Sequence, residues 1–214
     1  MKGHSMKRLI IVGAGGFGRE VLGHAQSIPT YTKDFEIYGF LDDNPNALDR
    51  YNYSVPIIGS IEHYTPQKDD RFVMGIESPQ GKLEIAKILK QRGAEFISLI
   101  HPTAEIGHNV SFGSGCVFCP HSAISCDAHL GDFVTLNSYG VIGHDAILED
   151  GCTISSFVLI AGSVRLGKGV YVGIHGCILP RVQVGDFATV GAGSVVVKNV
   201  KPHITVMGVP ARKL

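Results

Sequence analysis

From residue 106 onward an apolar side chain falls on every sixth position: Ile106, Phe112, Phe118, Ile124, Leu130, Leu136, Ile142, Leu148, Ile154, Ile160, Leu166, Val172, Ile178, Val184, Val190 and Val196, with no slip in register. The next residue is often glycine, as at Gly107, Gly113, Gly131, Gly143, Gly167, Gly173, Gly185 and Gly191. Four places after each anchor stands a mostly small or β-branched residue, among them Val110, Cys116, Ala128, Val134, Ala146, Cys152, Val158 and Val164. One large and one small inward residue per six, with glycine at the bend, describe a short strand and a corner. Such hexapeptides stack as a parallel β-helix. In the left-handed form three hexapeptides close one triangular coil, so residues 18 apart lie above one another. Ile106 to Val195 then makes about five coils, roughly 4.8 Å apart like neighbouring strands.

The first hundred residues follow another pattern. Lys7 to Gly13 is a buried-strand run, and Gly13-Ala14-Gly15-Gly16-Phe17-Gly18 turns into a helix expected over about Arg19 to Ser27. A second strand, Ile37 to Leu41, ends in Asp42-Asp43; Arg71 to Ile76 reads as a third, Pro79 to Arg92 as a helix, and Glu95 to Leu99 as a fourth strand. Alternating strands and helices imply a parallel sheet. The division expected is a leader at 1–6, a Rossmann-like α/β domain at 7–100, and an all-β left-handed parallel β-helix with its tail at 101–214.

A strand, a glycine turn and a helix make a place for phosphate, since glycine admits close backbone approach and a helix N-terminus offers unpaired N–H groups. That nominates Gly13, Gly15, Gly16, Phe17 and Gly18, with Asp42 and Asp43 placed to accept from ribose hydroxyls or a base edge. About 95 residues are only around half of a two-part dinucleotide fold, so a mononucleotide group suits this size better.

Nineteen basic residues balance nineteen acidic ones, leaving no net field for nucleic acid or an anionic membrane. Small molecules or further copies of the chain are the expected partners. No apolar run reaches the roughly 20 residues of a membrane span and no signal peptide is evident, which favours no membrane insertion and a cytoplasmic setting. Five cysteines are an odd number, against a disulfide framework. Cys116-x-x-Cys119 with His121 suggests zinc, but Cys116 and Cys152 occupy small-residue slots of the repeat and no second motif completes a tetrahedron, so no metal is expected.

The polar residues of the repeat carry the chemistry. His144, in Val141-Ile142-Gly143-His144-Asp145, follows a glycine corner and should point outward. Gly162 stands 18 residues on, one coil above. A histidine stacked on a glycine pairs a general base with an oxyanion donor, as acyl transfer needs. Asp145 is placed either to fix the imidazole tautomer or to stand as a solvated corner residue. Lys198, Lys201, Arg212 and Lys213 make the tail basic, which fits phosphate.

Together, the GAGGFG turn, Phe40-Leu41-Asp42-Asp43, the hexapeptide array around His144 and the ending Gly208-Val209-Pro210-Ala211-Arg212 resemble the sugar acyltransferases related to the bacillosamine-pathway and perosamine N-acetyltransferases, and the sialic acid O-acetyltransferases. The resemblance spans residues 7 to 214. It implies a homotrimer with acetyl-coenzyme A between adjacent β-helices and a nucleotide-sugar on the N-terminal domain. It implies His144 as base, Asp145 as its acidic partner, the Gly162 amide as oxyanion donor, and Asn137 as an active-site asparagine. Ile174, Gly191 and Ala192 match coenzyme A contacts, with Lys198, Pro210 and Arg212 of the tail beside them.

Two positions depart from the pattern. Thr153 stands where some members carry a second histidine, and Phe17 where some have histidine in the glycine turn. The reaction expected is acetylation of the amine of a nucleotide-linked amino-deoxyhexose, the alternative being acetylation of a sugar hydroxyl, as of sialic acid. A non-catalytic sugar-nucleotide scaffold and a dinucleotide redox enzyme are the remaining rivals. His108 and Cys126 share the His144 edge, and His175 sits at another corner.

Overall fold

The computed structural model describes residues 6–214, so all but the last residue of the leader at 1–6 lies outside the described residues. The N-terminal domain is a four-stranded parallel sheet with strands β1 (Lys7–Val12), β2 (Phe35–Leu41), β3 (Ile57–Gly59) and β4 (Asp70–Met74) in the order β3-β2-β1-β4. Helices α1 (Gly16–Ser27), α2 (Pro29–Asp34) and α3 (Pro79–Gln91) complete it. The chain steps from β1 to β2 on one side and then to β4 on the other. The ends of β1 and β4 therefore flank the switch point at which parallel sheets bind ligands.

Two expectations change here. Strand β3 was not legible, and Glu95 to Leu99 is not a fourth strand of this sheet: Phe96 forms a single bridge with Phe72, and Leu99–Ile100 pairs with Val117–Phe118 of the solenoid. The transfer happens at Ser98, whose hydroxyl donates to the Gly113 carbonyl and accepts from the Cys116 N–H at 3.0 Å.

The rest is a left-handed β-helix. Its three faces are parallel sheets in which every pairing steps by 18 residues, for example Leu99 to Val117, Thr135, Thr153, Tyr171 and Thr189 in turn. Fourteen of the sixteen anchors are buried; Ile106 and Phe112, on the first coil with no coil beneath, are not. The strands beginning at Leu99, Val117, Thr135 and Thr153 form the docked face, which the N-terminal domain covers: Val117 and Cys119 join the core of α1 and β1, while Phe133 at the edge packs on Phe96. The second face carries an outward row of Ala123, Val141, Leu159, Cys177 and Val195, and the third a polar row with His129, Arg165 and Gln183. A hairpin of Thr205–Gly208 and Ala211–Lys213 closes the far end of the docked face. No helix is long and apolar enough to cross a membrane among the described residues.

Candidate active site

Gly143 bends the chain out of the second face, and the side chain of His144 emerges 61% exposed. Its Nδ1 lies 2.6 Å from Oδ2 of Asp145. With the carboxylate accepting from Nδ1–H, Nε2 is left free to take a proton. The imidazole lies against Gly162: a Cβ built there would sit 2.4 Å from Nε2 and 2.6 Å from Cε1. The two coils are tied at this point by the Ser163 N–H donating to the His144 carbonyl at 2.8 Å. The Gly162 N–H has no hydrogen-bond acceptor among the described residues. Imidazole and free amide are thus adjacent on one edge of the prism.

The glycine turn forms as its sequence requires. Gly13 has φ +97°, and a Cβ on Gly18 would fall inside the Gly13 carbonyl, at 1.9 Å. Gly15 and Gly16 are exposed with open space around them, so the turn presents bare backbone at the start of α1. Helix α1 begins at Gly16 rather than Arg19, and its period places Phe17, Val21 and Ala25 on the core side. Phe17 is 8% exposed and packed in the core, so it offers a ligand backbone only.

Asp42 and Asp43 both accept hydrogen bonds from neighbouring loops. Oδ2 of Asp42 accepts from the Ala14 N–H at 2.8 Å and Oδ1 from the Asn44 N–H at 2.9 Å, while Asp43 accepts from the Glu62 N–H. The Asp42 carboxylate thus braces the glycine turn at Ala14. Beside the turn, the Arg19 guanidinium lies 3.9 Å from the centre of the Tyr51 ring, a cation and an exposed aromatic that the sequence did not single out.

Asn137 is 8% exposed and meets the N-terminal domain: its Nδ2 donates to Oε1 of Glu77 at 2.6 Å. Thr153 donates to the main-chain carbonyl of the same Glu77 at 2.7 Å. Glu77 follows β4, so this bond ties the strand ends of the N-terminal sheet to Asn137. Beneath it, Lys82 is fully buried, donating to the Thr135 hydroxyl at 2.8 Å and the Cys152 carbonyl at 3.3 Å. Burial lowers its pKa to about 7, against the smaller opposing pull of Cys152, Cys116 and Glu77.

Asn137 and His144 stand on different edges, separated by the strand Val141–Ile142 and hence by more than about 10 Å. No hydrogen bond or ion pair joins the N-terminal domain to the His144 edge among the described residues. Ile174 is 46% exposed at the same edge as Asn137, farther along the prism; Ala192 is exposed there, while Gly191 is covered by Met207. Lys198 and Arg212 line a groove of about 530 Å³ together with Lys201 and Lys213; Pro210, after a cis Val209–Pro210 bond, stands exposed at the hairpin turn. The thiols of Cys116 and Cys119 belong to different apolar clusters, and burial pushes them up to about 11 and about 12. Neither is a ready nucleophile.

Residues 8–89 match the PglD N-terminal domain. Over 97% of its length the chain superposes on the whole acetyltransferase domain of PglB from Neisseria gonorrhoeae FA1090, with a TM-score of 0.86 and 26% identity. WeeI from Acinetobacter baumannii AYE is likewise 26% identical, with 96% of this chain and 99% of that one covered and a TM-score of 0.83. Along nearly its whole length the chain is thus similar to the acetyltransferase domain of PglB and to WeeI, and in its N-terminal part to the PglD N-terminal domain. Its fold also matches PerB from Caulobacter crescentus, solved with CoA and GDP-perosamine, at a TM-score of 0.87, 24% identity and 98% coverage of both chains. Serine acetyltransferase of Buchnera aphidicola subsp. Schizaphis graminum (strain Sg) is 31% identical over 134 residues, 61% of this chain and 46% of that one. The chain thus spans about half the length of the curated relatives it matches.

Proposed function

We propose that the protein transfers an acetyl group from acetyl-coenzyme A to the amine of a nucleotide-linked amino-deoxyhexose, within a homotrimer whose sites lie between subunits. The contact of the His144 ring with Gly162 carries this reading. His144 Nε2 removes a proton from the amine as its nitrogen attacks the thioester carbonyl. The tetrahedral oxyanion accepts a hydrogen bond from the Gly162 N–H. Collapse expels the coenzyme A thiolate, which takes the proton back from the imidazolium. Asp145 holds Nδ1–H throughout and so favours the productive tautomer.

The donor is supported by the PglB acetyltransferase domain, 25% identical and solved in complex with acetyl coenzyme A. The acceptor is supported by the bare glycine turn and by Glu77 and Asn137 where the strand ends meet the solenoid. The trimer is supported by the separation of the Asn137 and His144 edges in one chain and by the apolar row of the second face, which offers a seat for a second copy. Val141 and Leu159 in that row are 36% and 46% exposed.

The test is an acetylation assay on UDP-, dTDP- and GDP-linked 4-amino-4,6-dideoxy sugars and on free sialic acid, with the parent and His144→Ala. Turnover of an amino-sugar nucleotide is expected, with a loss of about 10²- to 10⁴-fold in the variant. Unchanged turnover in the variant defeats the mechanism, and turnover of sialic acid alone moves the acceptor to a hydroxyl.

A further inference from the structure

The turn that leads from β4 into α3 is clipped to two neighbouring strands of the docked face. Glu77 accepts twice, from Asn137 Nδ2 at its carboxylate and from the Thr153 hydroxyl at its main-chain carbonyl. Ser78 then caps α3, its Oγ accepting from the Gly81 N–H at 3.3 Å. Lys82, whose own N–H donates back to the Ser78 carbonyl at 2.8 Å, reaches the same strands with its side chain. Its Nζ donates to the Thr135 hydroxyl and to the Cys152 carbonyl. Thr135 and Thr153 are paired in the sheet. Thr135 stands two residues from Asn137, and Cys152 precedes Thr153, so the amine and Glu77 grip one pair of strands.

An ammonium is poorly served in this place. Lys82 is fully buried, joins no ion pair among the described residues, and has two uncharged acceptors for three N–H groups. The ionisable groups facing it are Glu77 from the turn and Cys116 and Cys152 from the solenoid. Its helix neighbours Ser78, Pro79, Ile85 and Ala86 carry no charge. Burial pushes the two thiols up to about 11 and about 12, so they stay neutral and Glu77 alone offers a charge. A neutral amine, by contrast, can accept from the Thr135 hydroxyl while donating to the Cys152 carbonyl. Loss of one proton therefore reverses the Thr135 bond, two residues from Asn137.

We propose that Lys82 is a positioning residue for the acceptor: deprotonated, it seats the β4–α3 turn and the Glu77–Asn137 pair on the solenoid, and a proton on Nζ unseats them. The inference rests on the acceptor proposed above. Lifting the turn lets water reach the amine, so the lifted turn binds a proton more tightly than the seated one, and by linkage the proton favours lifting. The seated amine titrates at about 7. Acceptor binding, which uses the seated turn, therefore expels a proton from Lys82 below that pH and weakens by up to about tenfold for each further unit of acidification.

The probe is the acetylated product, because its amide does not titrate whereas the acceptor amine does. Calorimetry on the full-length protein is to give the Kd of the UDP-, dTDP- and GDP-linked 4-acetamido-4,6-dideoxy sugars, and separately of coenzyme A, from about pH 6 to pH 9. For the parent the product Kd is expected to be flat above about pH 8 and roughly tenfold higher at pH 6. For Lys82→Met it is flat throughout. Thr135→Val removes the hydroxyl that accepts from the ammonium and moves the rise to lower pH. The coenzyme A profile is the same in all three proteins. A flat parent profile, a rise that persists in Lys82→Met, or an unmoved rise in Thr135→Val overturns the proposal while leaving the acceptor intact. A coenzyme A profile altered by Lys82→Met shows a general loosening of the fold and overturns it too. A parent that binds none of the three products overturns the proposal together with the reading on which it rests.

Discussion

Glu77 and Asn137 share a hydrogen bond of 2.6 Å that joins the α/β domain to the edge of the solenoid. Asn137 is buried, so removing the carboxylate strands its amide. Glu77→Ala is expected to cost about 1–3 kcal/mol, seen as a lower midpoint in thermal denaturation. Glu77→Gln keeps an acceptor oxygen and should recover most of that loss. The Thr153 contact is to the Glu77 main chain and survives both changes.

Gly162→Ala places a methyl group where the His144 ring now lies. The ring is exposed and can swing away, so the solenoid should keep its melting temperature. The base is then misplaced by about an ångström or more, a displacement able to cost on the order of 10²-fold in rate. The expected result is a fall in kcat with coenzyme A binding retained; unchanged kcat would show that Nε2 is not the base.

Lys82 gives stability a pH dependence of known sign. Its folded pKa of about 7 lies below its ordinary value of 10.5, so the unfolded chain binds more protons between those values and stability rises with pH across that window. Below about pH 7 the ammonium is buried in full charge. Lys82→Met removes the term, and its melting temperature relative to the parent should be most favourable near pH 6 and decline steadily towards pH 10. A difference independent of pH would place the amine in a solvated setting.

Leu159→Asp puts a carboxylate in the apolar row of the second face. Sedimentation is expected to show trimer for the parent and monomer for the variant, with acetylation lost and circular dichroism unchanged. Retention of trimer would move the interface to another face.

The solenoid was legible because its signal is cumulative: sixteen anchors repeat one environment, and a corner such as Gly143 recurs often enough to place His144 and Gly162 one above the other. The N-terminal domain was less so. The helix starts three residues earlier than expected and turns the Phe17 side chain into the core. Asp42 stands at the expected strand end, but its bonds to the Ala14 and Asn44 N–H groups carry no sequence signal. Glu77 and Lys82 carry no pattern at all; their roles arise from packing between domains 60 and 53 residues away in sequence, which no local period encodes. The stacked rings of His121, Tyr139, Phe157 and His175 recur at 18-residue spacing, but only the backbone conformation shows that they share a corner.

Because each coil adds about 4.8 Å and returns the chain to the same three directions, the stack works as a ruler. The span from the Gly193 corner to His144 is fixed by the number of coils between them. Deleting one 18-residue coil, such as residues 163–180, would leave every face in phase and shorten that span by a single graduation. Any distance along the prism is therefore counted in whole coils, and a chain longer or shorter by a multiple of 18 keeps its three faces in register.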